Sequence, residues 1–139
     1  MKSKYLPLSF VALAVAMSAP AQAQVEVQWW HSMGGALGEW VNDLAKDFNA
    51  SQKDYKVVPT FKGSYDESMT AAIAAFRAGN APHILQVFEV GTATMMASKG
   101  AIVPAGKVMA DAGKKFDPNA YIAAVAGYYT APNGQMLSF

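Results

Sequence analysis

Three runs of β-branched and aromatic residues alternate with segments of helical period, and this alternation constrains the fold more than any other feature. The predicted strands are Val25–Trp30, Tyr55–Phe61 and His83–Glu89. Pro59 cannot donate to a ladder, so the second strand is predicted to lie at an edge or to end early. The continuous apolar character of the third is typical of a buried parallel strand. Such repeats predict an α/β fold, a mainly parallel sheet flanked by helices.

The first two predicted helices carry clear boundary signals. The first covers Ala36–Ala50, where apolar residues recur at helical spacing and predict one buried face: Leu37, Trp40, Val41, Leu44 and Phe48. The second begins with a capping box formed by Ser64 and Glu67, and it stops at Gly79.

Signals weaken after the third strand. A third helix is predicted to begin at Thr92 or Thr94 and to close at Gly100. Two short helices follow, of which the second has Asp117 as its N-cap, directly before a proline. The segment YYTAPNGQML, residues 128–137, is predicted to form two short strands joined by an Asn-Gly turn.

Residues 1–23 have the pattern of an export signal. Two lysines precede the apolar run Leu6–Met17, which is shorter than the roughly 20 residues that a membrane span needs. Ala21 and Ala23 favour cleavage before Gln24. We therefore expect an exported, periplasmic chain. Since the final GQMLSF stops without a turn, cap or polar tail, we also expect the sequence to be a fragment of a longer protein.

The charge of the chain argues against two classes of partner, and its lack of cysteine excludes disulfide bonds. The sequence has 11 basic and 10 acidic groups, and two of the lysines lie in the predicted signal, so the mature chain is close to neutral. A near-neutral chain without a basic stripe argues against nucleic acid or a membrane surface as the partner. Because the chain has no cysteine, its stability must come from a packed core.

Ligands of parallel sheets bind at the carboxyl ends of the strands, where loops lead into helices. Three loops meet this condition: Trp30–Gly35, Lys62–Tyr65 and Glu89–Gly91. The segment GGALG in the first loop only partly matches a dinucleotide fingerprint and lacks the spacing of its first two glycines. We interpret Gly34 and Gly35 as a tight entry into the first helix.

The same loop contains His31 and Ser32, which invite a hydrolase interpretation. Ser32 has no G-x-S-x-G frame, and adjacent side chains on a strand point to opposite faces. The two histidines, His31 and His83, show neither H-x-x-x-H spacing nor a nearby carboxylate pair. No catalytic residue, metal or cofactor is therefore predicted, and His83 is expected to be structural.

Tyr65 and Glu89 are the strongest candidates for ligand contacts. Tyr65 lies between the capping Ser64 and Asp66, a position that favours exposure over a place in the core. Glu89 closes an apolar run, where a buried and unpaired carboxylate would be costly. Aromatic faces beside an acceptor carboxylate are typical of polyol and sugar pockets. The residues alone predict a lobe that binds a polar small molecule.

Several stretches resemble the family 1 extracellular solute-binding proteins, the ligand receptors of ABC importers. Phe76–Pro82 fits the F-x-x-G-N-A-P motif of the wider family, and Ile84–Gly100, ILQVFEVGTATMMASKG, is similar to its glycerophosphate-binding branch. The resemblance covers the chain from Trp30 to its last residue. It implies a class II periplasmic-binding-protein-like fold with two lobes, of which residues 24–139 would form part of the first lobe only.

The resemblance also implies a function and a set of contacts. The protein would be a monomeric receptor that delivers sn-glycerol 3-phosphate or glycerophosphocholine to a membrane permease driven by a cytoplasmic ATPase. Family residues matching Tyr65 and Glu89 contact the ligand, the tyrosine as a hydroxyl donor and the glutamate as an acceptor for glycerol hydroxyls. Trp30, His31 and Ser32 would line the same cleft. A sugar-binding protein of the same fold, an exported glycerophosphodiester hydrolase and a structural or adhesive secreted domain remain alternatives.

Overall fold

The structure is a computed structural model that describes residues 23–98 and 100–138. The predicted export signal lies outside these residues, apart from Ala23. Eight helices and strands and one 3₁₀ turn follow in chain order: β1 (Val25–His31), α1 (Gly35–Ser51), β2 (Tyr55–Phe61), α2 (Tyr65–Arg77), β3 (Ile84–Leu85), α3 (Glu89–Ala97), α4 (Ala105–Asp111), a 3₁₀ turn (Pro118–Ala120) and α5 (Ala123–Tyr128).

The predicted α/β architecture is confirmed. The sheet has three strands in the order β2-β1-β3, and both pairings are parallel. β1 and β2 are paired over their full length, from Val25 opposite Tyr55 to His31 opposite Phe61. Crossovers of the usual right hand place α1 and α2 on opposite faces of this sheet, because the chain moves in opposite directions along it.

Two side-chain amides cover the outer edge of β2. The carboxamide of Asn49 accepts from Val57 N at 2.7 Å and donates to Val57 O at 2.9 Å. Gln52 does the same for Tyr55, at 2.8 Å and 2.7 Å. Pro59, two residues further along, has no N–H to present on that side. The prediction that Pro59 marks an edge strand is confirmed, and the strand does not end early.

The prediction of a long, buried third strand is wrong, since β3 has only two residues and Ile84 is 45% exposed. At both of its ends side-chain acceptors add to the backbone hydrogen bonds that His83 N and Gln86 N make to Gln28 O and Trp30 O. The His83 Nδ1 accepts from Gln28 N at 3.0 Å, and the Gln86 Oε1 accepts from Ser32 N at 3.0 Å. His83 thus has the structural role that was expected of it. Glu89 does not end a strand but begins α3.

The predicted apolar face of α1 is only partly buried. Gly38, Val41 and Ala45 are its buried residues, whereas Leu37 and Trp40 are 59% and 60% exposed. Small residues face the sheet because they let the helix approach it closely. The remaining apolar side chains leave an open groove of about 580 Å³ beside α1, which is lined by residues of α1 and of all three strands: Val27, Trp29, Leu44, Ala45, Phe48, Tyr55, Val57, Ile84, Leu85 and Gln86.

The region after β3 departs furthest from the prediction. The third helix begins at Glu89, three residues before the earlier of the two predicted starts. The second of the two short helices is divided into the 3₁₀ turn and α5, although Asp117 caps the turn as expected by accepting from Asn119 N at 2.9 Å. The predicted strand pair is reduced to one antiparallel bridge between Thr130 and Met136. No helix in the described ranges is long and apolar enough to cross a bilayer.

Candidate functional site

The three loops at the carboxyl ends of the strands begin side by side. Lys62 N donates to His31 O at 2.9 Å, and Gln86 N donates to Trp30 O at 2.9 Å. These two hydrogen bonds tie the first residues after β2 and β3 to the end of β1. The loops that the sequence singled out therefore meet at one edge of the sheet, where a parallel sheet binds its ligands.

The start of α2 is fixed by the capping box that the sequence predicts. Ser64 Oγ accepts from Glu67 N at 3.3 Å, and the Glu67 Oε2 accepts from Ser64 N at 2.7 Å. The hydrogen bonds from Ser64 lower the pKa of the Glu67 carboxyl because they favour its charged form. Gly63 precedes the cap with φ +81°, a conformation that glycine adopts without strain. Tyr65 is thereby held as the first residue of the helix.

An aromatic contact links Tyr65 to Phe88, the residue directly before Glu89. The ring of Tyr65 stacks on that of Phe88, with centroids 4.9 Å apart and planes inclined at 28°. Phe88 directly precedes Glu89, so the half-buried tyrosine contacts the residue next to the exposed glutamate. Within the described residues no hydrogen bond or ion pair involves the Glu89 carboxylate.

Two further contacts hold α3 in place near this pair. A Cβ at Gly91 would lie 3.0 Å from Met69 Sδ and 3.1 Å from the Val87 Cγ1, so the glycine lets α3 lie close to α2. The Tyr128 hydroxyl donates to the backbone carbonyl of Glu89. The position of Glu89 thus depends on α5, a contact that the sequence pattern gave no means of predicting.

Three other residues are predicted to line the cleft, and among them Trp30 is the one whose ring contacts a charged side chain. Lys62 Nζ lies 3.9 Å from the centroid of the Trp30 ring, within the range of a cation–π interaction. Sequence reasoning missed Lys62 as a candidate, although it placed that residue in one of the three loops. The available signal was its charge, since Lys62 is the one lysine or arginine in those loops.

His31 and Ser32 point away from solvent. His31 is 3% exposed and lies between the rings of Trp29 and Phe61, at centroid distances of 6.0 Å and 6.1 Å. Its Nδ1 accepts from Met33 N at 3.3 Å. The Ser32 hydroxyl oxygen is shielded and has no hydrogen-bond partner among the described residues. Their predicted contact with a ligand stays a prediction. Across residues 23–98 and 100–138, no three His, Asp or Glu side chains converge as metal ligands.

Acidification is expected to destabilise the fold through His31. Burial lowers the pKa of His31 below its usual value of 6.5, so the unfolded chain binds the proton more readily. The stability that the fold gains from keeping His31 neutral is fully present above pH 6.5. It is lost as the pH falls towards the folded-state pKa of His31. Urea unfolding should therefore give a smaller free energy of unfolding at pH 5.5 than at pH 7.5.

The matched variant for this prediction is His31→Asn, which keeps an acceptor near the Nδ1 position and does not titrate. Its free energy of unfolding should change less between the two pH values than that of the unaltered chain. An equal change in both proteins would show that another group causes the pH dependence.

Comparison with known proteins identifies the family. Residues 34–134 match the family described as "Bacterial extracellular solute-binding protein". The chain belongs to this family. Its membership confirms the resemblance on which the sequence interpretation rests, and the periplasmic-binding-protein-like fold of these solute-binding proteins agrees with the parallel sheet and flanking helices.

Individual relatives of this solute-binding family carry a more specific name, sn-glycerol-3-phosphate-binding periplasmic protein UgpB. The relative from Yersinia enterocolitica is 57% identical over 129 residues, which cover 92% of this chain and 29% of that protein. The relative from Escherichia coli (strain K12) is 51% identical over 139 residues, which cover 99% of this chain and 32% of that protein. The relative from Brucella abortus (strain 2308) is 51% identical over 128 residues, which cover 92% of this chain and 30% of that protein. The chain thus spans about 30% of the length of these relatives.

Proposed function

We propose that this chain is part of a periplasmic receptor that binds sn-glycerol 3-phosphate and delivers it to the permease of an ABC importer. Glycerophosphocholine is the second ligand to test, because it carries the same glycerol and phosphate groups. The observation that carries the proposal is the stack of Tyr65 on Phe88, the residue next to Glu89. The names of the relatives support the choice of ligand.

The proposed roles follow from the chemistry of the two side chains. The Tyr65 hydroxyl donates to a phosphate or glycerol oxygen, and the Glu89 carboxylate accepts from the glycerol hydroxyls. Glu89 does not hold the phosphate, because like charges repel. Trp30 lies at the rim of the same edge, and His31 and Ser32 support the loop beneath it. The site binds its ligand without turnover, needs no cofactor, and acts within a monomer.

Residues 24–139 are proposed to form part of the first lobe of a two-lobed protein, with residues 1–23 as the export signal. Two observations support this assignment. The chain covers about 30% of its relatives, and an open apolar groove remains beside α1. A single lobe contributes part of the contacts to a ligand held between two, so we expect the chain alone to bind in the millimolar range, about 4 kcal/mol.

The test is a titration of the ¹⁵N-labelled chain, followed by backbone amide shifts. sn-Glycerol 3-phosphate should give saturable shifts at Tyr65 and Glu89, whereas maltose at the same concentrations should give none. Saturable shifts with maltose alone would favour the sugar-binding alternative. ³¹P spectra of glycerophosphocholine incubated with the chain should stay unchanged. The appearance of glycerol phosphate there would instead identify a hydrolase.

A further inference from the structure

We propose that Lys62, held against the indole of Trp30, binds the phosphate group of the ligand. This inference rests on the proposed function and adds to it the residue that recognises the anionic end. Lys62 follows β2 directly, and its backbone N–H donates to His31 O. The lysine is therefore anchored at the same sheet edge as Tyr65 and Glu89.

The charges of the site call for such a residue. A phosphate monoester carries a charge of about −1.5 to −2 at neutral pH. Glu89 lies in the first turn of α3, and Asp66 and Glu67 lie in the first turn of α2. These three carboxylates would repel the phosphate unless a cation lies closer to it. Lys62 is the one cation that the sequence supplies within the three loops.

Lys62 is also available for a ligand. Among the described residues, the ion pair found is between Lys107 and Asp111, on α4. Lys62 is a half-buried residue, and its Nζ instead lies 3.9 Å from the Trp30 ring centroid. A cation–π contact localises the charge without occupying its N–H donors through a conventional acceptor. A phosphate oxygen can therefore accept from Nζ while the indole keeps the side chain in place.

The turn after Lys62 separates the two ends of the ligand. Gly63 reverses the chain with φ +81°, and the capping Ser64 then leads into Tyr65. Lys62 and Tyr65 consequently flank one short turn, while Glu89 begins α3 directly after Phe88, on which Tyr65 stacks. This arrangement assigns the phosphate to Lys62, the glycerol hydroxyls to Glu89, and a bridging hydroxyl donor to Tyr65.

The deciding experiment measures the dissociation constant of sn-glycerol 3-phosphate for the full chain by amide shift titration, with Lys62→Met, Lys62→Arg and Lys56→Met as variants. Lys62→Met keeps the apolar stem and removes the charge, and it should weaken binding about tenfold, the low end of the range for hydrogen bonds to charged groups. Lys62→Arg restores a charge that also stacks on indole and should bind within about threefold of the unaltered chain. The Trp30 indole N–H resonance should shift during the titration.

Lys56→Met is the matched control. Lys56 is exposed and pairs in register with Glu26 near the amino end of β2, about 20 Å along the strand from Lys62 at the usual rise per residue. The Lys56→Met variant should bind sn-glycerol 3-phosphate as tightly as the unaltered chain. Equal weakening by the two methionine variants would mean that only the net charge matters, which overturns the inference.

The remaining outcomes separate this inference from the function on which it rests. If the unaltered chain binds and Lys62→Met binds equally well, Lys62 is not the phosphate residue, while the proposed function stands. If Lys62→Arg is as weak as Lys62→Met, a positive charge at this position is insufficient and the inference is overturned. If the unaltered chain shows no saturable shifts at tens of millimolar ligand, the proposed function fails and the inference fails with it.

Discussion

Replacing Gly38 by alanine is expected to lower the free energy of unfolding by about 2–3 kcal/mol, at the upper end of the range for overpacking. The added Cβ would lie 2.7 Å from the carbonyl oxygen of Met33 and 3.5 Å from its carbonyl carbon. Both are backbone atoms of the turn between β1 and α1, so no side chain can rotate away. Either α1 shifts off the sheet or the turn changes shape.

Gly127→Ala provides the matched control, because Gly127 is also a helical glycine and a Cβ there would meet nothing within 4 Å. Alanine is favoured over glycine inside helices by up to about 1 kcal/mol, so this variant should be unchanged or slightly more stable. Urea unfolding of the two variants and the unaltered chain decides the matter. Equal stabilities for both variants would contradict the close approach of α1 to the Met33 carbonyl.

Glu89→Ala is expected to reduce the affinity for sn-glycerol 3-phosphate on the order of 100-fold, because glycerol offers two hydroxyls to the carboxylate and bonds to charged acceptors are the stronger ones. Since no described residue bonds to this carboxylate, the free energy of unfolding should change little. The loss is thus expected in binding rather than in folding, and in the amide shift titration it should appear as shifts that no longer saturate at tens of millimolar ligand.

Glu26→Ala removes the same group from the amino end of β1, where Glu26 pairs in register with Lys56, and it serves as the control. Its affinity should match that of the unaltered chain. If Glu89→Ala keeps its affinity, the hydroxyl-accepting role assigned to Glu89 is wrong, whatever the other variants show.

Local signals predicted the first half of the fold well. β1 and β2 follow from β-branched runs, and the start of α2 follows from Ser64 and Glu67, whose reciprocal bonds involve residues three apart. For the start of α2 the deciding interactions lie within the segment itself, and for β1 and β2 the residue types within each run suffice to indicate a strand. A pattern read along the chain is sufficient to find such elements.

The rest depended on contacts between distant segments. At the two ends of β3 the side chains of His83 and Gln86 accept from Gln28 N and Ser32 N, more than 50 residues away in sequence. The spacing of apolar residues along the chain cannot show whether a hydrogen bond between two strands will come from a side chain or from the backbone. The candidate site shows the same difference between local and distant signals. Tyr65 and Glu89 were identified from their positions in the sequence. The stack of Tyr65 on Phe88 and the contact of Lys62 with Trp30 join distant segments and exist only in the folded chain.

The covered edge of β2 has a consequence for self-association. A sheet edge with unpaired backbone groups is a template for another copy, and ordered stacking of copies requires two such edges on each molecule. Asn49 and Gln52 occupy the outward groups of Val57 and Tyr55, and Pro59 offers no donor beyond them. Pairing of another copy along this edge of β2 is therefore disfavoured, because two of its outward residues are already bonded and the third has no N–H to donate.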